Sequence, residues 1–536
     1  RAPLGDLEAS DEDGSVFGWF RFETNVARGV ARATLRRGAD GADRCSLLFT
    51  SMTEIKGHEE ATGFNRPLGH ELRAAAPMSS PGPAEGAGSK QDPYVLVIGG
   101  SQSGLMIASR LKRLGVPTLV VDRLSRPGDT WRNRYGSLHL HDAFWLNHLP
   151  YLPSPEHWPV YASKDLFADW LDHYAKIMDI DFQGHTEVLK ATFDAELEKW
   201  TVRMRVSGGE ETELRATHLV MAIGNATGAN IPTLPGIDSF RGRHVHSAHF
   251  EGCAPDAAAW PGKKCIVVGS NTSAHDLAQD LHEHGADVTM LQRSSTCVLR
   301  TERMRELAAA AGYSEEAASR GRDAACADLQ GASVPISLRE PGMRRWVQEL
   351  QERDAEYYER LGKVGWMQSW GEDGTGPFMM YLRAFRGYYF DIGASELVMD
   401  GRVKLKSGAT IAEVKPTSVV LTTGEELPCE LLIYATGYEN SISVVSKLIS
   451  PEVARAVGPC WGYGSGRAGD PGPYEGELRN MWKPTAQPNL WFQGGNIAMC
   501  RFHSLHLALQ LKARLEGIVK SPGAPAAPVI VTPLGG

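Results

Sequence analysis

The 536-residue sequence contains no apolar run that approaches the roughly 18 residues of a transmembrane helix. It shows no signal peptide, because no basic segment followed by a short apolar core stands near its beginning. The formal net charge of −8 disfavours nucleic acid and acidic membrane surfaces as partners. These absences predict a globular cytoplasmic protein that binds neither nucleic acid nor a membrane.

The sequence also lacks paired cysteines. Its eight cysteines include no CxxC and no CxxxxC spacing, which argues against a zinc site and against the redox pair of a disulfide reductase. We therefore predict no metal centre and a reducing, cytosolic setting. The 42% of hydrophobic residues are ordinary for a soluble protein, and the length allows two or three domains with full cores.

A strand–turn–helix pattern begins at residue 94. An apolar strand is followed by Gly99 and Ser101, and the helix that follows carries Gly104. Gly99 permits a tight turn and Gly104 permits close helix–strand packing, although Ser101 replaces the glycine that usually approaches a pyrophosphate. Asp122 ends the next strand, where an acid can accept hydrogen bonds from a ribose. This pattern predicts a dinucleotide site at the N-terminus of the helix, where free N–H groups and the helix dipole favour phosphate.

A second copy of the pattern begins at residue 264. Gly269, Asn271 and Ala274 occupy the three turn positions, and the following strand ends in Arg293 and Ser294 without an acid. An acid would repel a 2′-phosphate, whereas arginine and serine donors would hold one. The second site is therefore predicted to take NADPH in preference to NADH. Two dinucleotide sites in one chain are typical of an enzyme that moves a hydride from a nicotinamide to a bound flavin.

Strands that alternate with helices predict an α/β fold with two Rossmann-like domains and parallel sheets covered on both faces. Residues 77–92 are rich in Pro, Gly, Ser and Ala and are typical of a linker. We predict a small α+β unit at 1–76, this linker, and an FAD domain that is discontinuous over 93–230 and 401–525. The NADPH domain at 231–400, with a helical insert at about 300–390, is inserted between its two parts, and a tail follows at 526–536.

Six segments together resemble the class B flavin-dependent monooxygenases, of the flavin-containing monooxygenase type. Residues 240–250 match the pattern FxGxxxHxxxF, residues 127–135 are similar to a GGxWxxRY segment, and residues 435–438 read ATGY. The other three segments are 138–141, 149–151 and 491–496. The resemblance covers residues 93–520. Residues 1–76 resemble the closing strands of an NTF2-like domain, as in the fungal and bacterial branch that has an N-terminal extension.

The resemblance implies FAD in the first domain and NADPH in the second. Reduced flavin would form a C4a-peroxyflavin with molecular oxygen and oxygenate a small soft nucleophile at nitrogen or sulfur. The resemblance implies that His141 is a catalytic residue on the flavin side. It is compatible with a homodimer but does not require one. The implied cofactor-binding residues are Gly99, Ser101, Gln102, Gly104, Asp122, Arg123, Trp131, Arg134, Gly269, Asn271, Thr272, Ser273, Arg293, Ser294, Thr436 and Gly437.

Three alternatives remain at the level of sequence. Baeyer–Villiger enzymes of this class usually have Trp followed by Pro or Asp where this chain has Phe250 and Glu251, so ketone oxygenation is less favoured. An NADPH oxidase would release hydrogen peroxide with any substrate. A non-enzymatic, flavin-stabilised binding protein would hold FAD without reacting with NADPH. His246 within the FxGxxxHxxxF pattern is expected to position the hinge between the domains.

Overall fold

The structure, a computed structural model, describes residues 8–9, 15–69, 92–224, 228–385, 387–462 and 477–519. Two parallel five-stranded sheets organise the main body, as the sequence predicts. None of the helices in the described ranges is long and apolar enough to cross a membrane.

The first sheet is built from short strands that are almost wholly buried. Its order across the sheet is Leu490–Phe492, His218–Met221, Val95–Ile98, Thr118–Val121 and Phe182–Gln183. The helix that follows the central strand spans Gln102–Arg113 and packs against the C-terminal helix Ile497–Leu515. A third helix at Lys164–Ile177 packs beside it and extends the core. Burial on both faces explains why these strands read as continuous apolar runs.

The second sheet contains strands from beyond the predicted end of the NADPH domain at residue 400. Its order is Arg243–His246, Leu431–Tyr434, Lys264–Val268, Asp287–Gln292 and Lys404–Ser407, all parallel. Residues 404–407 and 431–434 therefore belong with the second domain, and the assignment of everything after residue 400 to the FAD domain is wrong. An apolar strand pattern does not specify which sheet the strand joins, because backbone pairing partners are chosen in the tertiary structure. The helix of this domain spans Thr272–Glu283.

A helical insert separates the fourth and fifth strands of the second sheet. It begins after Cys297–Arg300, which pairs in parallel with Tyr388–Asp391 at the end of the insert. The six helices between them are Thr301–Ala310, Glu315–Ser319, Ala324–Ala332, Ile336–Arg353, Ala355–Lys363 and Gly376–Ala384. A buried ion pair joins this insert to the first domain, since both Nε and Nη2 of Arg501 donate to the carboxylate of Asp328 at 2.7 Å.

Smaller elements complete the main body. Two three-stranded antiparallel sheets, which the sequence did not predict, comprise Thr186–Asp194, Lys199–Val206 and Glu211–Ala216, and Ile411–Lys415, Ser418–Leu421 and Glu426–Pro428. The remaining α-helices are Asp129–Arg132, Ala394–Met399, Ser441–Leu448 and Pro451–Val457. Short 3-10 helices lie at Gly63–Asn65, Phe144–Leu146, Ile237–Ser239 and Ala254–Ala259.

The N-terminal unit is an antiparallel sheet in its described part. Its strands Glu8–Ala9, Val16–Glu23, Ala27–Arg37 and Asp43–Ile55 pair in sequence order. No α-helix lies in its described residues, so the α+β prediction is not met there. The sheet packs on the main body: Ile55 is buried in the core of the first domain, and the Ser51 hydroxyl lies 2.8 Å from Nε2 of His506. The predicted linker at 77–92 lies outside the described residues except for 92.

Removal of the N-terminal unit is expected to lower thermal stability without preventing FAD binding. A chain that begins at Ser89 keeps the whole first sheet but exposes the surface that Ile55 covers. Loss of one buried side chain of this size costs on the order of 2 kcal/mol, which lowers the melting temperature by a few degrees. Calorimetry and flavin absorbance of the two chains check this. A shortened chain that folds yet binds no FAD would show that the unit completes the cofactor site.

Candidate functional site

One large cavity lies between the two sheets and the insert. Its volume is 2640 Å³, whereas single ligand pockets usually occupy about 300–1,000 Å³. Every residue predicted for cofactor binding or catalysis lines this cavity, except Gly104, which lies beneath its surface. The lining residues are Gly99, Ser101, Gln102, Asp122, Arg123, Trp131, Arg134, His141, Gly269, Asn271, Thr272, Ser273, Arg293, Ser294, Thr436 and Gly437.

The first turn sterically excludes side chains at Gly99 and Gly104. Gly99 has φ +106°, and a Cβ there would lie 2.6 Å from the carbonyl oxygen of Ala222. A Cβ at Gly104 would lie 1.9 Å from the carbonyl oxygen of Gly99. Gly104 is therefore required because the helix begins directly against the turn, although the residue does not face the cavity. The Ser101 side chain does not cap the helix, so the first N–H groups remain available to a bound phosphate.

The side chains around this turn are already positioned. Asp122 accepts hydrogen bonds from the backbone N–H groups of Gly100 at 2.7 Å and Leu124 at 2.8 Å. Each carboxylate oxygen retains a further lone pair for a ribose hydroxyl. Gln102 is held through its Oε1 atom, which accepts from Nε1 of Trp131 at 3.0 Å. Asp122 therefore stabilises the turn in addition to any contact with a ligand.

The second turn repeats this geometry. Gly269 has φ +128°, and a Cβ there would lie 2.4 Å from the carbonyl oxygen of Ala435. Asn271 precedes the helix without capping it, and its Oδ1 instead accepts from the hydroxyl of Thr296 at 3.2 Å. Thr272 donates to the carbonyl of Tyr388 at 3.2 Å, which joins the turn to the insert. This second helix N-terminus also opens into the cavity.

Arg293 and Ser294 are exposed on the cavity wall just after the strand Asp287–Gln292. Arg293 forms no ion pair with any residue in the described part of the chain, so its guanidinium is available to an anion. A guanidinium presents its N–H donors in a fork that matches phosphate oxygens. The geometry therefore suits a phosphate group that extends beyond the second turn.

His246 does not line the cavity but ends a strand of the second sheet and contacts the segment that follows Tyr434. Its Nε2 atom lies 3.0 Å from the carbonyl oxygen of Gly437, and its Nδ1 accepts from the N–H of Ala248 at 3.1 Å. Its ring also meets the edge of Tyr438 at 5.3 Å between centroids. The hinge-positioning role of His246 stays a prediction. The Thr436 hydroxyl donates to the backbone carbonyl of Asn230, which joins the segment after Tyr434 to the segment near residue 230.

His141 and Arg134 lie on the cavity wall contributed by the first domain. His141 makes edge contacts with Tyr388 and Phe390, at centroid distances of 6.0 and 5.2 Å. The guanidinium of Arg134 lies 5.5 Å from the ring centroids of both Tyr135 and Tyr438, and its buried Nε has no hydrogen-bond partner among the described residues. Arg134 is thus a cation at the junction of the two domains.

Sequence reasoning missed an acid at this junction. Asp276 lies on the second Rossmann helix, and its Oδ2 accepts from the hydroxyl of Tyr135 at 2.8 Å. Burial raises the pKa of Asp276 to about 6, while the Tyr135 hydrogen bond and the nearby His141 and Arg134 act in the opposite direction. A perturbed acid in a cleft is a common mark of a functional site. Only the contact between the domains reveals it, because Asp276 and Tyr135 are 141 positions apart in the chain.

Asp276 is expected to make stability depend on pH. Its folded-state pKa is raised above that of the unfolded chain, so its contribution to stability is present below pH 4 and is lost as pH rises through 6. Melting temperatures of the wild type and D276N, measured from pH 4.5 to 7.5, should diverge across this window and run parallel above it. The exposed acid Asp238, which lies outside the cavity, provides the matched control D238N. Parallel curves for the wild type and D276N throughout would contradict the assignment.

The residues present fit two dinucleotides. Each turn contains a glycine at which a Cβ would clash with a neighbouring carbonyl oxygen, so the backbone there is free of side chains. In the helix that follows each turn, the N-cap side chain does not hydrogen-bond to the first N–H groups. Both helix N-termini face a single cavity that exceeds the volume of one ligand pocket. The eight cysteines are all free, so the cavity holds no disulfide.

Comparisons with known proteins agree with this architecture. Residues 96–308 match the family described as pyridine nucleotide-disulphide oxidoreductase. Indole-3-pyruvate monooxygenase YUCCA1 of Oryza sativa subsp. japonica is 28% identical over 354 residues, which are 65% of this chain and 78% of that protein.

Two solved structures share the fold at 18% identity. Cyclohexanone monooxygenase in its open crystal structure has a TM-score of 0.57 and covers 80% of this chain and 89% of its own. OTEMO in complex with FAD and NADP has a TM-score of 0.58 and covers 80% of this chain and 86% of its own. The two-domain architecture predicted from the sequence is confirmed.

Proposed function

We propose that the chain is an NADPH- and FAD-dependent monooxygenase of the class B flavin-dependent type. It oxygenates a small organic substrate at a soft nitrogen or sulfur atom. The observation that supports this most directly is the pair of glycine turns whose helix N-termini open into one cavity. Hydride transfer between two cofactors requires both of them to lie in one cavity. Two nucleotides that do not react with each other could bind in separate cavities.

The first turn holds FAD in this proposal. The N–H groups that follow Ser101 bind the pyrophosphate, and Asp122 accepts hydrogen bonds from the ribose. Trp131 keeps Gln102 in place beside the pyrophosphate through the 3.0 Å hydrogen bond. Arg123, which follows Asp122 on the cavity wall, would lie on the adenosine side.

The second turn holds NADPH. The N–H groups after Asn271 bind its pyrophosphate, with the hydroxyls of Thr272 and Ser273 beside them, and Arg293 and Ser294 bind the 2′-phosphate. Thr436 and Gly437 line the cavity directly after the strand Leu431–Tyr434, where Thr436 donates to the carbonyl of Asn230, and they would form part of the wall beside the cofactors. Arg134 and Asp276 would contribute charge at the junction of the two domains.

Bound FAD, once reduced by NADPH, supplies the chemistry that activates molecular oxygen and transfers one of its atoms. The protein orients the two cofactors and the substrate and excludes water from the space between them. The aromatic residues around His141 provide an apolar wall for that purpose. His141 is the residue we assign to the reacting centre, where its ring is fixed by Tyr388 and Phe390.

Baeyer–Villiger oxygenation of a ketone is the second candidate. The fold shared with cyclohexanone monooxygenase favours it. Phe250 and Glu251 favour nitrogen or sulfur instead, because Baeyer–Villiger enzymes of this class usually have Trp followed by Pro or Asp at these two positions. The Phe250 ring is buried against Trp260, with centroids 5.9 Å apart. A cytoplasmic location and a homodimer remain predictions.

One anaerobic titration tests the proposed function. Protein reconstituted with FAD is titrated with NADPH without oxygen, and the loss of flavin absorbance near 450 nm reports hydride transfer, as expected of flavins in general. Air is then admitted with a thioether, a tertiary amine or a cyclic ketone, and the products are identified. Bleaching followed by stoichiometric sulfoxide or N-oxide supports the proposal. A protein that binds FAD but is not bleached by NADPH is not a monooxygenase, and lactone as the main product reverses the ranking.

A further inference from the structure

A cysteine, an aspartate and a histidine meet outside the cavity, at the C-terminal end of the second Rossmann helix. Asp280 lies in this helix, His284 directly follows it, and Cys253 precedes the 3-10 helix Ala254–Ala259. One side-chain ligand atom from each of the three lies within 4.8 Å of the other two. We call this set the Cys–Asp–His cluster. None of its members lines the cavity, so the proposed function does not use it.

The distances within the cluster suit the ligands of a single ion. Nδ1 of His284 lies 3.3 Å from Oδ1 of Asp280. Nitrogen and oxygen ligands bond to a tetrahedral zinc ion at about 2.0–2.2 Å, which places two such ligands about 3.3–3.5 Å from each other. A thiolate bonds at about 2.3 Å and therefore lies slightly further from its fellow ligands. Sγ of Cys253, within 4.8 Å of both, needs only a small movement to complete the set.

The cluster is a buried site with an excess of negative charge. Cys253 and Asp280 are both buried. Among the residues that the structure describes, no lysine or arginine forms an ion pair with Asp280, and its ionic partner is His284, which is charged only when protonated. Buried charges are normally paired or coordinate a metal. One carboxylate and one thiolate, with a neutral imidazole, balance the two charges of a divalent cation.

Neighbouring groups already hold two of the ligands in place. The N–H of Cys253 donates to Oδ2 of Asp280 at 3.1 Å, which leaves Oδ1 on the side of His284. Nε1 of Trp260 donates to the backbone carbonyl of Cys253 at 3.0 Å. Gly252 permits this close approach, because a Cβ there would lie 3.2 Å from Oδ2 of Asp280. Hydrogen bonds of this kind orient metal ligands before the ion binds.

His284 is the ligand through which an ion enters. Its Nδ1 also lies 2.8 Å from the backbone carbonyl oxygen of Asp280, which accepts its proton when no ion is bound. The side chain is 27% exposed, so the ring has room to turn from this carbonyl toward the carboxylate. A water molecule on the exposed side completes the four ligands of a tetrahedral ion.

We propose that the Cys–Asp–His cluster binds a zinc ion that joins the end of the second Rossmann helix to the segment around Cys253. Thiolate and imidazole favour Zn²⁺ over Mg²⁺ and Ca²⁺, which prefer oxygen ligands. Binding releases the thiol proton of Cys253 and the Nδ1 proton of His284 to solvent. The missing CxxC spacing, from which the sequence predicts no metal centre, does not apply to ligands that lie 27 positions apart in two segments.

Zinc content and a cobalt spectrum test the inference on the FAD-reconstituted protein. Tag-free protein is incubated with ZnSO₄, freed of unbound metal by gel filtration, and analysed by plasma mass spectrometry. We expect one zinc per chain and a higher melting temperature, because an ion that binds only the folded state stabilises it. Co²⁺ in place of Zn²⁺ should give a thiolate-to-cobalt charge-transfer band. The difference spectrum against the same protein without cobalt cancels the flavin absorbance.

Variants assign the ion to the cluster. C253S should abolish the cobalt band, and H284A should weaken zinc binding at least about tenfold, since even loss of an outer-shell partner costs about that much. The controls C45S, at an exposed cysteine, and H282A, in the same helix but outside the cluster, should retain both zinc and the band. H284A decides the matter if C253S does not fold, because His284 is partly exposed.

Three results would overturn the inference. They are a wild type that retains no zinc, a cobalt band that survives C253S or disappears in C45S, and an H284A protein with unchanged zinc affinity. The inference does not rest on the proposed function, because no measurement uses NADPH or a substrate. Failure of NADPH to bleach the flavin therefore counts against the proposed function and not against the zinc site.

Discussion

Replacement of Gly269 with alanine is expected to abolish reduction of FAD by NADPH while FAD stays bound. A side chain at φ +128° is strained by about 1–3 kcal/mol. The new Cβ would also lie 2.4 Å from the carbonyl oxygen of Ala435, and neither atom belongs to a flexible side chain. The turn must therefore shift, and a misplacement of about 1 Å at a cofactor can cost a hundredfold in rate. The rate constant of anaerobic flavin bleaching measures this loss.

The matched control is Gly331, which lies in a helix of the insert and has open space where a Cβ would stand. G331A should leave both FAD content and bleaching unchanged, since alanine suits a helix better than glycine. The G269A protein should elute with full flavin, because Gly269 belongs to the second sheet and not to the first. Normal bleaching of G269A would mean that NADPH does not bind at this turn.

Replacement of Arg293 with alanine is expected to raise KM for NADPH about ten- to a hundredfold and to leave KM for NADH unchanged. A hydrogen bond from a guanidinium to a phosphate is worth roughly 1.5–3 kcal/mol, and only NADPH has the 2′-phosphate that receives it. Arg293 is exposed and unpaired with any described acid, so the fold should not depend on it. Steady-state kinetics with both nucleotides, together with a melting curve, check this.

Arg241 offers the comparison for this second substitution, because it is an exposed arginine away from the cavity. R241A should alter neither KM. If R293A raises both KM values equally, or lowers the melting temperature, Arg293 has a structural role and the preference for NADPH must arise elsewhere.

The sequence by itself determined the two dinucleotide-binding units. Gly99 and Gly269 take the positive φ of a tight turn, and Gly104 packs against the carbonyl of Gly99, so these requirements are local and can be recognised without a structure. The helices that follow begin at Gln102 and Thr272, directly after the turns, as the pattern predicts. Apolar strands buried on both faces are equally local signals.

Only the tertiary structure decided which strands share a sheet and which side chains share the cavity. Residues 404–407 pair with the second sheet because backbone hydrogen bonds join segments far apart in sequence, and nothing in their composition specifies the partner. Asp276 meets Tyr135 only across the domain junction. The cavity takes its lining from both sheets and the insert for the same reason: a site made from separate segments is a product of chain packing, which no local pattern encodes.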